Sequence, residues 1–378
     1  MKNLWYNQIV RKNKGGTIMK KILVLCLSLV ILMSLISGCV KQEQVQEKTP
    51  VEEQTITKVE DDGTMRILMI GGSLGYDTMY MMPAVLKNEG VENFAVGILY
   101  RSAGLKSLTP YAKSGNPEFA YLEYVSGQDQ AWRRADCNGY FLTSIPDEAT
   151  DKYIEDGSIA VSAEFGLKRM DWDVVVIMSA SNEITNVTGD LNMKNADAMM
   201  EYVKVNDVEP ATVPEFGWHM VWSLPVDSSL WNAARRDFME KYYPGQDATA
   251  MYEDNVRSTK DIVLPAIEGK VTYVFPCATA LQNAKTSTLV TDKDIHRDFI
   301  HGTDYARLIA AYTWYCGLTG VDIRDCKFGP VPNAIVRDAK TRITGKDYEM
   351  TEELKNLLIE SVENAYKESF AVTQSAYQ

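Results

Sequence analysis

The sequence predicts an α/β fold, in which buried parallel strands alternate with helices. Short apolar runs recur along the chain, and each is preceded or followed by a helix-like stretch. Strands that are apolar on both faces need helices on both sides of the sheet. The four runs that carry this prediction are, in chain order, Met65–Ile70, Phe94–Tyr100, Asp173–Met178 and Val271–Phe275.

The first run continues into Gly71-Gly72-Ser73 and then a helix-like segment, Met79–Glu89, which Gly90 closes. Two further helices are predicted at Tyr305–Cys316 and Thr351–Ser369. The irregular, aromatic stretch at about 118–170 predicts an insertion beside the sheet that can rim a pocket. Residues 64–372 fit one domain, which is long but within the range of an α/β unit.

The N-terminus has the pattern of an export signal. Lys20 and Lys21 precede the apolar run Ile22–Ile36, and small residues then lead to Cys39. The run is shorter than the roughly 20 residues of a membrane-spanning helix, and the pattern resembles a bacterial lipoprotein signal. We therefore expect cleavage before Cys39 and lipidation of its thiol, the alternative being an uncleaved membrane helix. Residues 1–39 form this signal, with Met19 an alternative start.

Residues 40–63 are polar and lack a hydrophobic period, as in a flexible tether from a membrane surface. Of the remaining cysteines, no pair has the spacing of zinc ligands, and the chain has only three histidines. We therefore predict no metal and no cofactor. A disulfide is allowed outside the cytoplasm, and burial as small apolar residues is an equally good interpretation. The four cysteines concerned are Cys137, Cys277, Cys316 and Cys326.

The charge of the chain argues against a nucleic acid partner. The formal net charge is −12, from 51 acidic and 39 basic side chains. All of the acids lie after residue 39, so the predicted domain is more negative still. A polyanion is repelled by such a surface, and no dense Lys/Arg run follows residue 40.

In doubly wound sheets, ligands bind outside the carboxyl ends of the strands. Ser73 follows the first run, and a serine there is either a nucleophile or a helix N-cap. The glycines of 71–75 also allow phosphate binding, but the chain lacks both G-x-G-x-x-G and a P-loop lysine here. Gly104 follows the second run and either presents its N–H to a ligand or forms a turn. Asn182 follows the third and is either an oxyanion donor, an Asx-turn or a cap.

Asp298 stands three residues ahead of His301, shortly before a predicted helix. A carboxylate so placed can accept the imidazole N–H and leave the other ring nitrogen free to take a proton from a hydroxyl. His296, preceded by two aspartates, is a neighbouring alternative. The chain order of serine, glycine, asparagine and Asp-x-x-His is more specific than any of its parts.

This order resembles that of the SGNH, or GDSL-like, hydrolases over about residues 65–320. Within them the chain is similar to an uncharacterised bacterial subgroup known as a domain of unknown function. The resemblance implies a three-layer α/β/α sandwich with a mainly parallel, flavodoxin-like sheet. It also implies Ser73 as nucleophile, His301 as base and Asp298 as its orienter, with the Ser73 N–H, the Gly104 N–H and the Asn182 side chain as oxyanion hole. The stretches that carry the subgroup likeness are 66–73, 219–222, 276–284 and 297–320.

Two positions depart from the superfamily, since Gly72 replaces the usual Asp or Asn and Ala180 the usual Gly. The sequence predicts an extracytoplasmic, membrane-anchored serine esterase that removes acetyl or similar groups from a carbohydrate or other acylated small molecule. Four tryptophans are candidate sugar platforms, although tryptophan is more often a packing residue. The alternative is a non-catalytic surface lipoprotein that binds a glycan or another ligand in the same crevice. The tryptophans are Trp132, Trp218, Trp222 and Trp231.

Overall fold

A mixed nine-stranded sheet forms the centre of the protein. The computed structural model describes residues 63–128, 132–142, 160–208, 213–328 and 350–378. The strand order across the sheet is β5-β4-β3-β2-β1-β7-β8-β9, and β6 pairs with β3. The strands are β1 (Met65–Gly71), β2 (Phe94–Tyr100), β3 (Phe119–Val125), β4 (Arg133–Ala135), β5 (Phe141–Leu142), β6 (Ala160–Val161), β7 (Val174–Ile177), β8 (Glu215–His219) and β9 (Tyr273–Phe275).

Strands β2, β1, β7, β8 and β9 are parallel, whereas β3 to β6 extend the sheet with antiparallel pairings. The α/β class and the central parallel strands agree with the sequence prediction. The predicted insertion at about 118–170 differs, because its described residues continue the sheet beyond β2 and do not lie beside it. Its aromatic side chains explain this, since Tyr121 and Tyr124 are buried on the sheet by neighbouring rings.

Helices cover both faces of the sheet. One layer contains α1, α9, α11 and α12, and the other contains α2, α3 and α5. The helices are α1 (Ser73–Glu89), α2 (Leu105–Ser114), α3 (Ala163–Leu167), α4 (Ser181–Ile184), α5 (Met193–Asn206), α6 (Ala233–Tyr242), α7 (Ala248–Ser258), α8 (Leu264–Ile267), α9 (Cys277–Ala284), α10 (Asp292–Ile295), α11 (Asp304–Thr319) and α12 (Glu352–Lys367). This is an α/β/α sandwich, as the resemblance implied.

Helix α1 begins six residues before the predicted Met79, directly after the first strand. Gly75 lies in its first turn, where a Cβ would come within 2.7 Å of the sulfurs of Met69 and Met178. The helix can pack this closely on β1 and β7 only because glycine has no side chain. The predicted end is confirmed, since Gly90 closes the helix in the left-handed conformation with φ 84°.

Three cysteines are buried and unbridged, namely Cys277, Cys316 and Cys326, while Cys137 is exposed. Burial raises the pKa of the Cys277 thiol well above its ordinary value, so this side chain is a packing residue. The predicted signal, the tether and Cys39 lie outside the described residues. Within the described part of the chain, no helix is both long and apolar enough to cross a membrane.

Candidate active site

Three loops meet at the carboxyl ends of three neighbouring strands. Strands β1, β2 and β7 are adjacent and parallel, so their carboxyl ends lie at the same edge of the sheet. Ser73, Gly104 and Asn182 follow these strands and line one cavity of about 320 Å³. The structure therefore brings together three site residues that the sequence spreads over 110 positions, at the edge where doubly wound sheets bind ligands.

Ser73 is the first residue of α1, and the N-cap of that helix is Gly72. The interpretation of Ser73 as the cap is therefore wrong. Its side chain is partly exposed in the cavity, and no described residue makes a hydrogen bond with its hydroxyl. A serine whose hydroxyl has no protein partner and faces open space is available to react.

Two residues of the cavity lining also have backbone N–H groups without an acceptor among the described residues. Ser73 supplies one, because it is the first residue of α1 and the first N–H groups of a helix have no acceptor within the helix. Gly104 supplies the other, and it is the N-cap of α2. The preceding N–H, that of Ala103, donates to the carbonyl of Arg101 at 2.7 Å. Gly104, and not Ala103, is therefore the residue whose amide is available to a ligand.

Asn182 lies within the short helix α4, whose N-cap is Ala180, so it is not the helix cap. Its side chain lines the cavity and has no hydrogen-bond partner in the described structure. The next residue, Glu183, is buried and ties this loop to that of Gly104. Its carboxylate accepts the N–H of Lys106 at 2.9 Å and the hydroxyl of Ser179. Sequence analysis did not identify Glu183 as the side chain that fixes the two loops.

His301 and Asp298 form the predicted pair. Nδ1 of His301 lies 2.7 Å from Oδ2 of Asp298, and Oδ1 accepts the N–H groups of Ile300 and His301, both at 2.9 Å. Burial alone raises the pKa of Asp298, but the hydrogen bonds and charge of His301 outweigh it and hold that pKa below its ordinary value. An ionised carboxylate only accepts, so Nδ1 carries the proton and Nε2 is left as a base.

Asp77 connects the serine helix to the histidine loop, and the sequence analysis missed it. Its carboxylate is fully buried, and Oδ2 accepts the N–H of Gly302 at 2.9 Å. Oδ1 lies 3.1 Å from Arg297 and 2.6 Å from Arg307. Burial raises the pKa of Asp77, and the two guanidinium groups more than reverse this, so the pKa is lowered overall. An aspartate within the mostly apolar helix after Ser73 was the available signal.

The histidine loop reaches the cavity through Ile300, which lines it together with Ser73. Trp222 fixes this residue by donating its Nε1–H to the carbonyl of Ile300 at 2.7 Å. Asp77 lies one helical turn after Ser73. Its carboxylate accepts the N–H of Gly302, the residue that follows His301. The serine helix and the Asp-x-x-His loop are therefore joined through Asp77 beside the cavity, although His301 and Asp298 are not among the residues that line it.

The other histidines have a structural environment. His219 and His296 are both buried, and burial lowers the pKa of each to about 3. Nδ1 of His219 accepts the indole N–H of Trp314 at 3.0 Å. Neither ring is protonated near neutral pH, and neither lines the cavity. Among the described residues, no group of three or more His, Cys, Asp or Glu side chains could hold a metal ion.

None of the four candidate tryptophan platforms lines the cavity. Three are buried, with Trp218 fully enclosed and Trp132 stacked on Tyr80. Trp231 is partly buried and donates to the carbonyl of Pro225 at 2.8 Å. The sheet and helices need these large rings for packing, which is the commoner role of tryptophan.

Solved structures resemble this fold at low sequence identity. A DUF4886 family protein from Bacteroides uniformis superposes with a TM-score of 0.58 at 17% identity, covering 82% of this chain and 98% of that one. An SGNH hydrolase by provisional assignment, from Slackia heliotrinireducens, has a TM-score of 0.35 at 15% identity, with 68% and 99% covered. A catalytic mutant of an acetylxylan esterase from Geobacillus stearothermophilus has a TM-score of 0.26 at 10% identity, with 70% and 97% covered. The last two similarities are too weak to support an argument about function.

No curated protein matches the chain in sequence. A family model described as a domain of unknown function, DUF4886, matches residues 138–344. The match includes Asn182, Asp298 and His301, while Ser73 and Gly104 precede it. Because it extends over more than half of the sequence, the chain belongs to the DUF4886 family.

Proposed function

We propose that the protein is a serine esterase with Ser73 as nucleophile, His301 as general base and Asp298 as its orienter. One observation carries the proposal. Three hydrogen-bond donors without protein partners, the N–H groups of Ser73 and Gly104 and the side chain of Asn182, line the cavity that contains the Ser73 hydroxyl. Unpartnered donors around one hydroxyl are what the oxyanion of acyl transfer requires.

The reaction is a two-step acyl transfer. Nε2 of His301 takes the proton of the Ser73 hydroxyl while Oγ bonds to the ester carbonyl carbon, and the carbonyl oxygen becomes the oxyanion. The C–O bond to the alcohol then breaks, and the alcohol leaves with the proton from His301. Water attacks the acyl-serine in the same way, which releases the carboxylic acid and restores the Ser73 hydroxyl.

The two departures from the superfamily pattern remove no reacting group. A Cβ on Gly72 would lie 3.6 Å from the carbonyl oxygens of Arg101 and Ala103, so neither packing nor its φ of −89° demands glycine there. Ala180 has φ −74° and ψ 149°, which any residue adopts. Both positions shape the cavity, and neither supplies the nucleophile, the base or an oxyanion donor.

The proposal is tested with a fluorophosphonate probe and a neutral chromogenic ester, 4-nitrophenyl acetate, on the protein lacking residues 1–39. We expect peptide mapping to find the adduct on Ser73, and Ser73→Ala to abolish both labelling and hydrolysis. Asp298→Asn should lower kcat about 10⁴-fold, because the imidazole loses its orienting carboxylate.

Ser102→Ala and Ser107→Ala are matched controls, since both serines line the same cavity. Each should keep the parent rate within about threefold. A folded Ser73→Ala protein as active as the parent would refute the proposal. Glycan binding without any labelling of Ser73 would favour the alternative of a non-catalytic binding protein.

We further propose that the esterase is a membrane-anchored lipoprotein on the extracytoplasmic side, attached through Cys39, and that its natural substrates include acylated carbohydrates. The location rests on the signal pattern of residues 19–39. The proposal of a carbohydrate substrate rests on that location alone, because none of the candidate tryptophans lines the cavity. Release of acetate from acetylated polysaccharides, compared with 4-nitrophenyl acetate on the same sample, tests the substrate class.

A further inference from the structure

Arg235 is a charged side chain of the cavity that the proposed chemistry does not use. It lies in α6 and lines the cavity together with Ser73, Asn182 and Ile300. No described residue accepts a hydrogen bond from its guanidinium group, although most of the side chain is covered. Its charge centre lies 5.5 Å from the centre of the Phe299 ring. Five N–H donors are therefore held near the proposed nucleophile without a protein acceptor.

The acidic groups of the cavity lining and of the histidine loop accept hydrogen bonds from residues other than Arg235. Both oxygens of Asp298 accept hydrogen bonds from the 298–301 loop. Glu183 accepts from Ser179 and Lys106. Asp190 pairs with the Lys106 ammonium at 2.6 Å. Since no described carboxylate accepts a hydrogen bond from Arg235, its N–H donors are left to the contents of the cavity.

Phe299 links Arg235 to the base, because its ring contacts the guanidinium group on one side and meets the imidazole edge-on. Phe299 lies between them, with its ring centre 5.7 Å from that of His301. Burial lowers the pKa of Arg235 from its ordinary value, and the charge of Asp298 opposes this, so the group stays charged. A guanidinium group in the cavity lining that has no hydrogen-bond acceptor among the described residues attracts anions to that point, against the net negative charge of the chain.

We infer that Arg235 binds an anionic group of the substrate, so that the preferred esters carry a carboxylate close to the bond that is cleaved. The inference rests on the proposed esterase function. A guanidinium group binds a carboxylate through two parallel N–H donors, which gives both affinity and orientation. The carboxylate belongs either to the acyl group, as in a dicarboxylic half-ester, or to the alcohol, as in an acylated uronic acid.

The test compares three esters on the protein lacking residues 1–39. These are 4-nitrophenyl acetate, which is neutral, mono-4-nitrophenyl glutarate, which carries the charge on the acyl side, and 4-acetoxybenzoate, which carries it on the alcohol side. The methyl esters of the two anionic compounds serve as their neutral references. We expect at least one anionic ester to exceed its reference about tenfold in kcat/KM, mainly through KM, and the advantage to shrink as salt is added.

Arg235→Met should abolish that preference and leave hydrolysis of 4-nitrophenyl acetate within about threefold of the parent. Arg235→Lys should keep part of it, because charge remains while the two-donor geometry is lost. Arg236→Met is the matched control. Its guanidinium donates to the carbonyl of Trp231 at 3.0 Å and does not line the cavity, so this variant should behave like the parent.

Two results overturn the inference. In one, the parent prefers neither anionic ester to its methyl ester. In the other, Arg235→Met lowers neutral and anionic esters equally, which would mean that Arg235 acts through Asp298 and His301. Glutarate binding to Ser73→Ala, measured by calorimetry with and without Arg235→Met, separates this inference from the catalytic proposal. Arg235-dependent binding by a protein that hydrolyses none of the esters would support the anion site and overturn the esterase.

Discussion

The amide of Gly104 can be tested by adding a single methyl group. A Cβ at this position would overlap Oε2 of Glu183 and lie 3.3 Å from the Cβ of Ala180. Glu183 has no easy way to retreat, because Ser179 and the N–H of Lys106 hold its buried carboxylate. Leaving that carboxylate unpaired costs more than moving the exposed loop, so Gly104→Ala should displace the Gly104 N–H from the cavity.

Loss of one oxyanion donor lowers kcat about 100- to 1000-fold, equivalent to about 2.7–4 kcal/mol of transition-state stabilisation. We expect this loss in the hydrolysis of 4-nitrophenyl acetate by Gly104→Ala, with KM changed much less. The rate of fluorophosphonate labelling should fall in parallel, because that adduct uses the same donors.

Gly72→Ala is the matched control. Both glycines are helix N-caps with φ −89°, so the backbone cost of alanine is the same at both. The added methyl at Gly72 meets nothing closer than 3.6 Å, so this variant should retain activity within a few-fold. Urea denaturation of both variants verifies that they are folded. The reasoning is refuted if folded Gly104→Ala keeps more than a third of the parent kcat, or if Gly72→Ala loses as much.

Three further predictions concern stability and location. Asp77→Asn should lower the free energy of unfolding by about 3–5 kcal/mol in urea denaturation, because Arg297 and Arg307 lose their buried counter-charge; a loss below about 1 kcal/mol would contradict this. His219 has a pKa of about 3 in the folded protein, so the unfolded chain binds the extra proton below pH ~6.5 and stability falls as the pH drops. His219→Phe should remove up to about 1.4 kcal/mol per pH unit from that slope between pH 6 and 4, and an unchanged slope would count against it. In a bacterial host, Cys39→Ser should move the full-length protein from the detergent phase to the aqueous phase, and continued detergent partitioning would argue against lipidation.

The sequence predicted the parts of the fold with a strong local signal. The bounds of β2 are those predicted, because every residue of Phe94–Tyr100 is buried and apolar runs mark such strands. Strand β8 was missed, since Glu215–His219 contains a charge, a glycine and a histidine. Gly217 is required there because Phe275 and Val176 fill the space of its side chain, a contact with residues far away in sequence.

The contrast between local and long-range signals also separates the site residues that were predicted from those that were not. Ser73 and the Asp298–His301 pair stand next to predicted strands or helices, so the sequence could single them out as candidates. The sequence did not predict three others. Asp77 and Glu183 bind residues that are distant in sequence, and Arg235 is notable because it has no hydrogen-bond partner among the described residues. Arg235 and Arg236 are neighbours on α6 and differ only in which side of the helix each side chain leaves. The sequence does not reveal which side faces the cavity, because it does not show where the helix packs.

The Asp77–Gly302 hydrogen bond joins residues 225 positions apart, which has a consequence for the order in which the protein becomes reactive. During synthesis the hydroxyl-bearing turn emerges long before the imidazole, and contacts of such separation form late because loop closure opposes them. Under the proposed mechanism, a nascent chain that contains the nucleophile but not yet His301 is inert towards esters. The proposed hydrolytic activity would therefore report the docking of the C-terminal third, and a prematurely terminated chain that retained the nucleophile would not damage acylated molecules around it.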